Sequence, residues 1–157
     1  MNGFRLLEIT EPIYPYKLQT SKDAHKAVKD WGKSDREVFI VLFLDAKNMI
    51  KGSEPISVGT VDSAAVYPGE VVKSALLKSA SSVILAHNHP SGDCTPSPAD
   101  LNITARIMFA CSGVSVRVLD HIILGRECYL SMGDSGKLAD LQARVDKVLA
   151  GLDEVIN

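Results

Sequence analysis

The stretch LAHNHPSGDCTPSPAD, residues 85 to 100, places two histidines, two aspartates, a cysteine, three prolines and a glycine around the end of a short apolar run. The overlapping residues 82 to 87, SVILAH, are typical of a buried strand. Asn88, Pro90 and Gly92 then favour a turn, because each of these residue types suits backbone conformations that reverse the chain. The stretch therefore predicts a strand that runs into a tight loop.

A helix is predicted to begin at the end of the same stretch. Ser97 is a good N-cap residue, Pro98 suits the first helical position, and Asp100 falls at the third. This spacing brings the serine and the aspartate together at the helix start. The same sequence is also an ordinary capping arrangement that needs no further function.

The strand, loop and helix start together suggest a metal site. Successive strand residues alternate in direction, so His87 and His89 converge on one ion only where the chain turns between them. With Asp100 they would form a cradle of three nitrogen and oxygen ligands, and three protein ligands leave a fourth position open, as in catalytic zinc sites. The alternative is a polar loop without an ion.

Composition limits the classes of function that the chain can have. The chain has 157 residues, 46% of them hydrophobic and 23% charged, which fits one globular domain. Seventeen Lys and Arg against 19 Asp and Glu give a net charge of −2. The charge provides no overall attraction to DNA or to an anionic membrane. No run approaches the ~18 apolar residues of a membrane span, so no membrane association is expected.

The three cysteines are spaced without a C-x-x-C pair. This pattern predicts neither a disulfide framework nor a zinc site built of thiolates. A reducing environment is the simplest setting for such a chain. The N-terminal residues also lack the apolar core of a secretion signal. We therefore expect a cytoplasmic protein.

Helices are predicted to alternate with buried strands, which indicates an α/β or mixed α+β sandwich. Thr20 and Asp23 have capping-box spacing at the start of a first helix, and Pro68 suits the first turn of a second. The helix after Ser97 is the third. The predicted strands are residues 38 to 44, 55 to 61, 82 to 87, 114 to 124 and 128 to 132.

Apolar residues in the C-terminal segment recur at intervals of 3, 4, 3, 4 and 3, which predicts an amphipathic helix with one apolar seam. This seam would either dock on the chain's own domain or pair two copies in a homodimer. It consists of Leu138, Leu141, Val145, Val148, Leu152 and Val155.

The spacing H-x-H-P-x6-S-x-x-D at residues 87 to 100 resembles the JAMM signature of JAB/MPN-domain metallohydrolases. Within that superfamily, LAHNHPSGD and TPSPAD, with REVFIVLFLDAKN upstream and VRVLDHIILG downstream, resemble the bacterial RadC-like proteins. The resemblance covers roughly residues 20 to 132. It implies the JAB/MPN fold, a curved mixed sheet flanked by helices and similar in layout to cytidine deaminases.

The resemblance and the residue patterns on either side of it together divide the chain into three segments. Residues 1 to 19 would be an N-terminal arm, residues 20 to 132 the RadC-like JAB/MPN domain, and residues 133 to 157 a C-terminal amphipathic helix. Longer RadC-like proteins carry an N-terminal helix-hairpin-helix region, and the arm is too short to hold one. DNA binding is therefore not expected.

The resemblance also assigns roles to site residues. Zinc would be held by His87, His89 and Asp100. An upstream glutamate would act as the general base, and its position before the first core strand matches Glu37. The motif serine, Ser97, would polarise a substrate carbonyl or stabilise an oxyanion. Glu37 could instead be a solvent-facing residue at a strand start, with Glu54 and Glu70 as weaker rivals.

Two further residues leave alternatives open. Cys94 stands where RadC-like loops usually have proline, and its thiol would be either a fourth zinc ligand, which would close the site, or a bystander. His121, in the family-like pair Asp120 and His121, would be either a residue that supports a metal ligand or a hydrogen-bonded core histidine. Asp93 is predicted to support the loop through turn hydrogen bonds.

The expected function is a zinc-dependent hydrolase of the metallopeptidase or isopeptidase type, acting on a peptide or isopeptide bond. The alternative is a metal-binding module without turnover that serves DNA-repair or mobile-element partners. Base deamination is disfavoured, because zinc deaminases use H-x-E and P-C-x-x-C. In this chain Asn88 and His89 follow the first histidine, and the loop cysteine stands alone.

Overall fold

The computed structural model describes residues 16 to 59 and 65 to 156, so most of the predicted N-terminal arm lies outside the described residues. The helices are α1 (Ser21–Val28), α2 (Pro68–Leu77), α3 (Pro98–Ser112) and α4 (Lys137–Ile156), with a 3-10 turn (Lys29–Lys33) after α1. The strands are β1 (Val38–Leu44), β2 (Ile50–Val58), β3 (Ser82–Asn88), β4 (Arg117–Leu124) and β5 (Tyr129–Ser131).

The five strands form one mixed sheet in the order β2-β1-β3-β4-β5. β1 is antiparallel to β2 and to β3, β3 is parallel to β4, and β4 is antiparallel to β5. Residues of α1 pack on one face of this sheet, and residues of α2, α3 and α4 pack on the other. This architecture confirms the predicted fold class, a mixed sheet flanked by helices with a further helix at the C-terminus.

β1 shows why its apolar run forms a central strand. All seven of its residues are buried, as the sequence predicted for a strand covered on both faces. Leu42 and Leu44 pack with α1, whereas Val41 and Phe43 pack with α2 and α3. This division follows from the alternation of side chains along a strand.

The same alternation in β3 and β4 sets the direction of two histidines. Val83 and Leu85 of β3 belong to the core on the α2 and α3 side, and His87 continues that odd-numbered series. In the parallel pairing with β4, Leu85 lies opposite His121 and His87 opposite Ile123. His87 and His121 therefore point to the same side of the sheet from neighbouring strands.

β2 is longer at its start than the sequence predicted. The predicted strand covered residues 55 to 61, whereas β2 begins at Ile50 and ends at Val58; residues 60 and 61 lie outside the described part of the chain. After the buried Ile50, the additional residues 51 to 54 are polar or small and resemble a loop by composition. They become a strand because their backbone pairs with the buried strand β1, which overrides weak local preference.

The apolar seam of α4 is divided between two environments. Leu138, Leu141 and Val145 are buried against Met108 of α3 and Ile123 of β4. Its last members, which are Val148, Leu152 and Val155, are 57%, 47% and 82% exposed. The first half of the seam thus docks on the domain, while pairing of two copies through the second half stays a prediction.

None of the helices in the described ranges has the length and apolar character that a membrane span requires.

Two leucines on the same seam test the division of α4. We expect Leu141→Ala to lower the free energy of unfolding by about 2–5 kcal/mol, because it leaves a cavity in the core. Leu152→Ala should cost less than about 1 kcal/mol, because that side chain is half exposed. Urea denaturation at two protein concentrations would measure both. Equal losses for the two variants would contradict docking of the first half only, whereas a concentration-dependent loss for Leu152→Ala alone would support pairing of two copies through the second half.

Candidate metal centre

The first histidine of the motif reaches the site from the end of β3. His87 is 1% exposed, and its ring stacks on that of Phe39 with centroids 6.0 Å apart. Its two ring nitrogens face different partners. Nδ1 lies 2.8 Å from Nε2 of His121, and Nε2 lies 2.8 Å from Nε2 of His89. Nε2 is therefore the ring nitrogen of His87 that points toward His89 and Asp100.

The turn after β3 brings His89 back to the same point. The His89 amide donates to the Leu124 carbonyl at 2.8 Å, and the Gly92 amide donates to the His89 carbonyl at 2.9 Å. Gly92 has φ +90°, a conformation that favours glycine. Asp93 supports the loop as predicted, because its carboxylate accepts from the Thr95 amide at 2.9 Å. These bonds give the loop a defined shape.

The backbone of this loop also fixes the tautomer of His89. Its Nδ1 lies 2.8 Å from the carbonyl oxygen of Asp93. A carbonyl only accepts, so Nδ1 carries the proton in the neutral ring. The lone pair is then on Nε2, which is the nitrogen that faces His87. A neutral imidazole with its lone pair directed inward is the form that binds a metal ion.

The third member of the cluster is Asp100, at the start of α3. The Asp100 amide donates to Ser97 Oγ at 3.1 Å, and the Ser97 amide donates to Asp100 Oδ2 at 2.7 Å. This is the predicted capping box. The carboxylate also lies 3.1 Å from His87 Nε2 through Oδ1 and 3.2 Å from His89 Nε2 through Oδ2. One carboxylate thus caps the helix and completes the cluster.

The cluster fits a divalent metal ion. One potential ligand atom from each of His87, His89 and Asp100 lies within 4.8 Å of the others. At least one of the two imidazoles presents a lone pair whose direction is set by its outer hydrogen bond. Two imidazoles and a carboxylate form a ligand set that zinc and similar ions use. The three residues predicted as ligands therefore converge and could hold a metal ion.

Electrostatics couples the aspartate to the histidines. Burial raises the pKa of Asp100, but hydrogen bonds with His87 and His89 outweigh burial and hold that pKa well below its ordinary value. The hydrogen bond with Asp100 raises the pKa of His89, and burial opposes part of this effect. The hydrogen bond and the negative charge of Asp100 therefore favour the protonated form of His89.

Glu37 and Ser97 border the same cleft as the cluster. This cleft has a volume of about 630 Å³, and both residues line it together with His87, His89 and Asp100. The negative charge of Glu37 contributes to the raised pKa of His89.

The two other glutamates considered as the general base do not line this cleft. Glu54 pairs with Lys78 at 2.9 Å, and Glu70 lies in the first turn of α2.

Asn88 has a role that sequence reasoning missed, because the residue was interpreted only as part of a turn. It is fully buried, and its side chain binds the backbone on both sides of Glu37. Oδ1 accepts from the Val38 amide at 2.7 Å, and Nδ2 donates to the Arg36 carbonyl at 2.9 Å. The residue between the two metal-site histidines therefore also fixes the segment that carries the candidate base.

Cys94 has a partner that the sequence did not indicate. It forms a disulfide with Cys128, with Cα atoms 6.1 Å apart, a pairing that the cysteine spacing did not predict. The two residues are 34 positions apart. They meet because the turn after β4 packs on the loop that follows β3 and carries His89. The Arg126 amide, for example, donates to the Gly92 carbonyl at 3.2 Å. In this state Cys94 has no thiolate to offer as a fourth ligand.

Comparison with known proteins agrees with this description. The family model described as RadC-like JAB domain matches residues 18 to 137. The UPF0758 protein of Photorhabdus laumondii is 48% identical over 102 residues, covering 65% of this chain and 44% of that protein. The UPF0758 protein of Leptothrix cholodnii is 46% identical over 121 residues, covering 74% and 54%. The chain thus spans about half of the length of these curated relatives.

The fold and the cluster define a mixed α/β domain of the JAB/MPN type, with a possible metal site where a central strand ends. The family match extends over most of the described residues. The chain belongs to the RadC-like JAB domain family.

Metal content tests the cluster directly. We expect about one divalent ion per chain in wild-type protein purified without a histidine tag, and no bound ion in His87→Ala/His89→Ala, because two of three ligands are removed. Elemental analysis after equilibration with each candidate metal would measure this. His25→Ala is the matched control, since this histidine stacks on Tyr129 outside the cluster. Equal metal content in all three proteins would exclude the cluster as the site.

Proton competition gives a second test. A metal ion binds His89 only in its neutral form, and the raised pKa of His89 extends the protonated form to higher pH. We therefore expect apparent zinc affinity to fall as pH is lowered through this pKa, by about tenfold per pH unit for each proton displaced. Titration against a chelator of known affinity between pH 5.5 and 8 would measure it. An affinity independent of pH would show that His89 is not a ligand.

Proposed function

We propose that this protein is a zinc-dependent hydrolase that cleaves an amide bond in a peptide or isopeptide substrate. The observation that carries the proposal is the common cleft, in which Glu37 and Ser97 border the three candidate ligands. His87, His89 and Asp100 would hold the zinc ion, which would supply polarisation of a carbonyl and a bound water of pKa about 7. The residues around it would then supply proton transfer and charge stabilisation.

Glu37 is the proposed general base. It lines the cleft. The hydrogen bonds of the Asn88 side chain with the Arg36 carbonyl and the Val38 amide fix the backbone on both sides of it. A carboxylate in this place takes a proton from the attacking water and returns it to the leaving amine, which is a contribution of about 10²–10⁴ in rate.

Ser97 is the proposed oxyanion donor. Its Oγ accepts a hydrogen bond from the Asp100 amide, so the hydroxyl proton is free to point into the cleft. A hydroxyl at the edge of the cleft can donate that proton to the oxygen of a tetrahedral intermediate. The cleft also has an apolar wall formed by Phe39, Val66 and Ile103, which suits the side chain of a peptide substrate.

Other expectations about the whole protein stay predictions. These are the cytoplasmic location, the pairing of copies through α4 and any role in DNA repair.

Paired glutamate variants test the enzyme proposal. Wild-type protein loaded with zinc would be screened against libraries of linear and isopeptide-branched peptides, with products read by mass spectrometry. For any substrate found, we expect Glu37→Gln to keep the zinc and to lower kcat by at least about 10²-fold. Glu70→Gln should retain full activity, because Glu70 is a carboxylate in the first turn of α2.

Two results would contradict the proposal. Full activity of Glu37→Gln would remove Glu37 as the base. A zinc-loaded wild-type protein that cleaves no peptide in either library would favour the alternative function, a metal-binding module without turnover for DNA-repair or mobile-element partners.

A further inference from the structure

His121 and Thr104 form a chain of hydrogen bonds that leads from the core to the metal cluster. Thr104 Oγ1 donates to the Asp100 carbonyl, one turn earlier in α3, at 2.5 Å and lies 2.6 Å from His121 Nδ1. His121 Nε2 then lies 2.8 Å from His87 Nδ1. His121 and Thr104 are both fully buried. Bulk solvent therefore does not reach either side chain.

The distances in this chain allow the proton assignment that metal binding by His87 requires, and this assignment starts at the Asp100 carbonyl. Thr104 has one hydroxyl proton, and the Asp100 carbonyl takes it. Thr104 Oγ1 can then only accept from His121, which places the His121 proton on Nδ1. A neutral imidazole has one N–H, so His121 Nε2 is an acceptor, and His87 Nδ1 must be the donor to it. The lone pair of His87 is left on Nε2, which faces the cluster.

We propose that His121 and Thr104 are positioning residues that hold His87 in the tautomer needed for metal binding. Without an acceptor at His121, His87 could place its proton on Nε2 and lose its ligand atom. The role extends the metal site of the proposed function and does not depend on hydrolysis. Of the two interpretations of His121, the proposal adopts support for a metal ligand.

The surroundings of the chain hold its members in place. Phe39 stacks on His87 and meets the His121 ring edge-on, with centroids 5.4 Å apart. The backbone at His121 is fixed as well, because its amide donates to Asp120 Oδ1 at 2.7 Å. Asp120 in turn accepts from Ser131 Oγ at 2.6 Å and from the Gly133 amide at 2.8 Å. His121 therefore has little freedom to leave His87.

The test uses matched pairs in which one member keeps the hydrogen bond. Thr104→Val and His121→Phe remove groups of the chain at nearly constant shape, whereas Thr104→Ser and His121→Gln keep a polar group. We expect the first two variants to bind zinc about 10–100-fold more weakly than wild type. Thr104→Ser should stay close to wild type, and His121→Gln should lie nearer to wild type than His121→Phe. Competition with a chelator would measure each affinity.

A second readout reports the tautomer itself. Long-range proton–nitrogen NMR correlations in the metal-free protein should show His87 protonated on Nδ1 in wild type and in Thr104→Ser. Protonation on Nε2 should become detectable in Thr104→Val. A merely structural role would not move this signal, and the Thr104 pair keeps the test valid even if His121→Phe fails to fold.

Ser82→Ala is the control for a general loss of buried polarity, since Ser82 is buried at the far end of β3 and its Oγ has no hydrogen-bond partner. Its zinc affinity should equal that of wild type. Wild-type affinity in Thr104→Val and His121→Phe, or an unchanged His87 tautomer, would overturn the proposal. A wild-type protein that binds no metal would instead refute the metal site of the proposed function.

Discussion

The pairing of β3 between β1 and β4 is the constraint on which the candidate metal centre depends. Both neighbours fix the register of β3, and that register turns His87 toward the same side of the sheet as α3. A shift by one residue would turn His87 to the α1 side and separate it from Asp100. The large apolar core on both faces of the sheet therefore holds the first candidate ligand in place.

The start of α3 satisfies two requirements with one carboxylate. The free amides at a helix N-terminus need acceptors, and the N-terminus also favours negative charge. The Asp100 carboxylate accepts a hydrogen bond from the Ser97 amide, and the same carboxylate lies beside both imidazoles. The same geometry leaves the Ser97 hydroxyl proton available. Structural capping and the candidate chemistry are thus compatible, because they use different lone pairs and protons of the same two residues.

The loop between the ligands is held from the outside by the turn after β4. The backbone of the loop makes hydrogen bonds with Leu124 and Arg126. The disulfide between Cys94 and Cys128 joins the two segments covalently. Gly125 packs so tightly against this loop that a Cβ atom there would lie 2.4 Å from the Gly92 carbonyl oxygen. His89 therefore depends on residues more than 30 positions away for its place in the cluster.

Local patterns in the sequence determined most of the elements and the candidate ligand set. The seven apolar residues of β1, the capping boxes at Thr20 and Ser97, and the motif around His87 each lie within a few residues and act over short range. Tertiary structure alone decided the remainder. The features that it decided all join residues that are distant in sequence. They are the early start of β2, the two environments of α4, the hydrogen bonds of Asn88 on both sides of Glu37, the contact of His121 with His87, and the Cys94–Cys128 pair. Such contacts follow from packing and strand register, whereas a single sequence shows only which residue types lie close together along the chain.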